Sequence, residues 1–322
     1  MPRTINLLIL CCAVIMGFIW LVGPYSAHLE LLPDKGPTWY YWQLPDPTWL
    51  TRLTAWGGFI LHQAFFWWLI YTAKSKVKAG ELSYTNKLHK YNYIALGGNL
   101  FFVLLHVLQT KLFYDGLAQE MHVFSGQFAV IIMLSLVLVL ENQRRGLIFG
   151  KKLSFLNSVR YLVKEYHGYY FSWAIVFTFW FHPIEINAGH LLGVFYTLLI
   201  LVQGSLIFTR YHQQRYWTVL LETFVLIHGA VVAYISVYHD IWPMFAFGFL
   251  TLFMVTQIYG LGLSKRTLYI CNAAFVALVI FFYRDDYAQV AEIVRIPIIL
   301  LLVALVLGAL LLPIAKRQTK GE

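Results

Sequence analysis

The run Phe181-His182-Pro183-Ile184-Glu185-Ile186-Asn187-Ala188-Gly189-His190 brings two imidazoles, a carboxylate and an amide close together. Imidazole is the commonest side-chain ligand of transition metals, and a carboxylate adds an oxygen donor without changing the class of site. Pro183 cannot continue a helix that reaches His182, and Gly189 stands where another begins, so the run reads as a connection between two helices. His106, His122 and His228 lie toward the same side of the chain's other apolar segments. The candidate metal ligands are therefore His106, His122, His182, Glu185, His190 and His228. Mixed nitrogen and oxygen donors suit iron or copper in a redox role, and zinc less well.

A second chemistry uses the deeper histidines. A b-type haem needs two axial imidazoles at equal depth on facing helices. At 1.5 Å of rise per residue, His62, His106 and His228 each fall about 12–15 Å below one end of their apolar runs, near mid-membrane. These three are the candidate haem ligands. Asn99, Gln63 and Gln109 are placed either to orient such histidines or to join helices through hydrogen bonds. The clustered histidine motifs of membrane desaturases and hydroxylases are absent, and no Gly-x-Ser-x-Gly elbow occurs.

The elements that must carry these residues are membrane helices. The chain has 322 residues, 60% of them hydrophobic and 12% charged. Soluble domains carry about twice that charge. Ten apolar runs are each roughly long enough to cross a bilayer: about 5–22, 53–72, 93–113, 122–140, 168–181, 189–208, 218–237, 242–261, 268–283 and 294–314. The first resembles a signal peptide but lacks a small-residue cleavage site, and reads as a membrane helix. Of the 24 Lys and Arg residues, 19 fall on one side of this arrangement. The positive-inside rule then places both termini in the cytoplasm. The net charge of +9 is thus a topology signal, and it argues against nucleic acid as a partner.

The sequence therefore predicts an all-α polytopic bundle of about ten transmembrane helices, forming one transmembrane domain over 1–322. The Pro-, Trp- and Tyr-rich stretch 23–51 reads as a cap on the outer surface. Segment 153–166 has apolar residues at helical spacing and basic residues on another face, as expected of an amphipathic helix on the inner leaflet. Three hairpins share a loose pattern, with His106 and His122, His182 and His190, and His228 and His239 flanking their outer turns. Cys11, Cys12 and Cys271 lie in apolar runs and form no disulfide framework.

On this reading the chain is a multi-pass protein of a bacterial inner (plasma) membrane. Its expected function is that of a metal-binding oxidoreductase or oxygenase, with a histidine-rich site in the outer half of the bilayer. The expected partners are the lipid bilayer, a lipophilic molecule or quinone, and other protein subunits. A haem b electron-transfer protein and a proton- or ion-coupled transporter are the alternatives.

Overall fold

The computed structural model describes residues 2–26, 29–32, 43–235 and 239–318. Ten α-helices are formed among them: α1 (Arg3–Val22), α2 (Trp49–Lys78), α3 (Lys90–Leu112), α4 (Val123–Arg145), α5 (Leu156–Trp180), α6 (Ala188–Ser205), α7 (Arg215–Ile235), α8 (Trp242–Val255), α9 (Lys265–Phe282) and α10 (Arg295–Gln318). No β-strand occurs among the described residues; isolated bridges join Thr85 to Thr209 and Ile148 to Lys151.

Seven helices are long and apolar enough to cross a membrane: α1, α3, α4, α6, α7, α9 and α10. Large apolar side chains stand exposed along them, such as Leu10 and Trp20 on α1, Phe101 and Leu108 on α3, and Ile270 and Phe281 on α9. Apolar surface of this kind is stable against lipid and costly against water. This is the pattern of a multi-pass membrane protein. Helices α2 and α5 have 30 and 25 residues, ample length for a crossing, but Arg52, His62, Gln63 and Lys74 lower the apolarity of the first and Arg160, Lys164, Glu165 and His167 that of the second. Helix α8 has 14 residues and continues through Thr256 into a 3-10 segment, Gln257–Leu261. Residues 156–166 of the predicted amphipathic segment form the first part of α5, continuous with the apolar run that follows.

The chain divides into two compact units, one of residues 1–129 and 168–221 and the other of residues 130–167 and 222–322. In the first, α3 packs against α2 and α6, and α1 against α6. Glycine sets one of the approaches: a Cβ on Gly58 would lie 2.2 Å from the Trp180 ring, so the indole rests directly on the α2 backbone. In the second unit, α8 packs against α10. The Ser135 hydroxyl donates to the Leu300 carbonyl at 3.1 Å, and Asn142 closes the loop after α4 by exchanging two hydrogen bonds with the Leu153 backbone. Part of the predicted outer cap, residues 27–28 and 33–42, lies outside the described residues.

Candidate functional site

Helix α3 carries Asn92, Asn99 and His106 at intervals of seven residues, all buried. Seven residues are close to two helical turns, so these side chains line one face over about 21 Å. Each reaches a partner on another element of the first unit. Asn92 Nδ2 donates to the carbonyls of Ser205 (2.8 Å) and Ile207 (2.9 Å) at the end of α6. Asn99 Nδ2 donates to Ser205 Oγ at 2.8 Å. Beside Asn92, the N-cap residue His89 donates from Nε2 to the Ile207 carbonyl at 3.0 Å. The result is a buried polar column along one face of α3.

His62 of α2 is bolted into this column, and its protonation state follows from its partners. The Trp180 indole N–H can only donate, and it points at His62 Nδ1 at 3.2 Å. Nδ1 therefore accepts, and the ring proton sits on Nε2. From there it is donated to Asn99 Oδ1 at 2.9 Å. The ring is fully buried, stacked on Phe102 with centroids 4.2 Å apart. Both nitrogens are engaged, so a haem or metal at His62 would have to displace Trp180 or Asn99.

His106 sits in a different chemical situation. Its Nε2 lies 3.1 Å from the backbone carbonyl of His182, which can only accept. Its Nδ1 lies 3.2 Å from Gln109 Oε1. The Gln109 amide is oriented by its other end, because Gln109 Nε2 donates to the Asp115 carbonyl at 3.1 Å. Turning the amide over would set two carbonyl oxygens against each other. Both ring nitrogens of His106 thus face acceptors. A neutral imidazole has one N–H and can satisfy only one of them. The ring is fully buried against Trp180, at a centroid distance of 4.2 Å, and Phe179, at 5.0 Å.

The His182–His190 connection is held by backbone contacts. Ala118 N donates to the Phe181 carbonyl at 2.6 Å, and Ile184 N to Thr110 Oγ1 at 3.0 Å. Asn187 caps α6, its side chain accepting from His190 N at 2.9 Å. Gly116 presses on the connection so closely that a Cβ there would lie 2.6 Å from His182 Cα. On this frame the His182 and His190 rings meet edge to face with centroids 4.3 Å apart. His190 is buried, while His182 and Glu185 are half-buried.

The remaining expected ligands are placed elsewhere. His122 is exposed, stacks on Phe124, and accepts the Phe124 N–H at Nδ1, which marks a helix-start residue. His228 lies on α7 in the second unit. His28 and the His239 side chain lie outside the described residues. Among the described residues, no three His, Cys, Asp or Glu side chains come together in a group able to hold a metal ion.

Sequence reasoning missed three parts of this arrangement. Asn92 was not singled out, although its interval of seven from Asn99 and His106 is visible in the sequence. Trp180 was read only as part of an apolar run, and no local signal marks it as a partner of His62. Asp115 reads as an outer turn residue or an added carboxylate ligand, and nothing local marks its burial, with Oδ1 accepting the Gly116 N–H at 2.8 Å. Burial pushes its carboxyl above the ordinary 3.8, against the opposing pull of the Thr51 hydroxyl, the Gly116 N–H and the Arg52 charge.

Comparison with family models, with curated proteins and with solved structures finds no match.

A raised carboxyl pKa has a defined consequence for stability. The folded state favours the protonated form, so this contribution is complete below the unfolded-state value and declines as pH rises through the folded-state value. Thermal unfolding of the detergent-solubilised protein across a pH series should show Asp115→Asn gaining stability relative to wild type as pH rises. A difference that is constant across the series would contradict the assignment.

Proposed function

We propose that the chain is a proton-coupled membrane carrier with ten crossings and both termini on the cytoplasmic side of a bacterial plasma membrane. The observation that carries this reading is the pair of acceptor oxygens facing the two ring nitrogens of His106. A proton on the ring would satisfy both oxygens, while the apolar surroundings oppose a charge. The protonation state of the ring is therefore coupled to these two bonds. Loss of the proton leaves one acceptor without its donor, either Gln109 or the His182 carbonyl. The second of these belongs to the connection between α5 and α6, so proton release from Nε2 loosens the hold of α3 on that connection. A ligand moves a conformational equilibrium through its differential interaction with the two states, and this bond supplies such a difference. Ionisable groups inside membrane proteins commonly mark proton or ion pathways.

The reading includes an uncoupled leak, because His106 can exchange its proton without a solute. The purified protein in liposomes, under an imposed potassium diffusion potential, should acidify the lumen faster than protein-free liposomes. His106→Phe should lower that flux by about a hundredfold, the scale of one proton-transfer group. His122→Ala should leave it intact. Equal flux in wild type and His106→Phe, or none above the protein-free control, would contradict the proposal.

The facing His182 and His190 rings favour a second reading, a metal-dependent membrane oxidoreductase acting on a lipophilic substrate or quinol. Two imidazoles would supply two nitrogen ligands to iron or copper and leave the remaining coordination positions for substrate or oxygen. The two rings are too close to occupy opposite faces of a haem, so haem b would need other ligands. Elemental analysis separates this reading from the first. It expects iron or copper at about one per chain, lost in the His182→Ala/His190→Ala variant. Metal-free wild-type protein, purified without chelators, would remove it.

A further inference from the structure

The second unit contains a buried cation that neither reading uses. Arg145 ends α4, and its side chain is 1% exposed. Its Nη1 pairs with the Glu222 carboxylate of α7. Its Nε and Nη2 have no hydrogen-bond partner among the described residues. Those two N–H groups lie along one edge of the planar guanidinium and converge on a single acceptor position. Leaving a buried charged group's donors unmet is costly, by more than the roughly 1–3 kcal/mol of a neutral donor.

Arg145 borders a cavity of about 20 Å³, whose other polar lining is Glu222 and Gln257 and whose walls include Leu138, Val225 and Phe249. That volume suits one water molecule. Gln257 Oε1 lies 2.5 Å from the Thr256 hydroxyl, and the Glu222 carboxylate is the charged acceptor in the lining. Its occupant must accept from the guanidinium edge. An anion would accept, but Arg145 and Glu222 already cancel, and a third charge among Leu, Val and Phe would stand uncompensated. Water accepts from the guanidinium and can donate to the carboxylate, and it adds no charge.

We infer that this cavity binds a single water molecule, which bridges Arg145 Nε and Nη2 to the Glu222 carboxylate. The ion pair is then a hydrated one, and Glu222 has an exchangeable partner inside an apolar wall. The inference is independent of the function of the first unit.

Crystals of the full-length protein that resolve ordered water, grown in chloride and then transferred to bromide, provide the test. One compact density peak within hydrogen-bonding distance of both Nε and Nη2, without anomalous signal in bromide, is the expected result. An anomalous peak at that position would make the site an anion site and overturn the water assignment. An empty cavity, or a guanidinium edge paired with another protein group, would also overturn it.

Discussion

Inside hydrocarbon a polar side chain has no water to fall back on, and that constraint organises the first unit. Every buried donor must meet an acceptor within the protein. The buried Asn92 and Asn99 amides meet backbone carbonyls and the Ser205 hydroxyl of α6, and His62 meets Asn99 and Trp180. Individual hydrogen bonds in membrane proteins are modest, about 0.6 kcal/mol on average. Their effect here comes from directionality. The partners lie on neighbouring helices, so α2, α3 and α6, with the end of α5, are held in one register.

Against that background the two buried histidines divide by chemistry. His62 has one partner that must donate and one that accepts, which is what a neutral imidazole requires. At His106 both ring nitrogens face acceptors. The first is a structural bolt whose proton has a fixed place. The second is a place where a proton is contested. Its link to the His182 carbonyl adds mechanical meaning, because residue 182 stands in a connection that is otherwise fixed by Thr110, Ala118 and Gly116.

Much of the scaffold was legible in the sequence, because hydropathy over about 20 residues reports directly on burial in lipid. Seven of the ten expected spans are helices with the length and apolarity to cross. The other three show what hydropathy averages away. Helix α2 places His62 and Gln63 in its buried face, α5 begins with a charged half, and α8 gives way to a 3-10 segment after Val255. The ends of the His182–His190 connection were legible from Pro183 and Gly189, and α6 begins one residue before that glycine, capped by Asn187. The partners of the histidines were legible only in part. Asn99 and Gln109 were expected to orient imidazoles or join helices, and each bonds one. The role of Trp180 depends on how α5 crosses α2, which no local pattern encodes. His122 looked equivalent to His190 because both begin return helices, yet one ring is exposed and the other buried.

The central claim is that His106 is a proton-binding group held between two acceptors, and its ring nitrogens can be observed directly. Histidine-selective ¹⁵N labelling of the full-length protein in lipid bilayers would resolve them by solid-state NMR, with His106→Gln assigning the signals. The account predicts that, across a pH series, His106 passes through a form with protons on both nitrogens. Over the same series His62 keeps a single proton on Nε2. A neutral His106 with one bare nitrogen, at every pH at which the protein remains folded, would contradict the account.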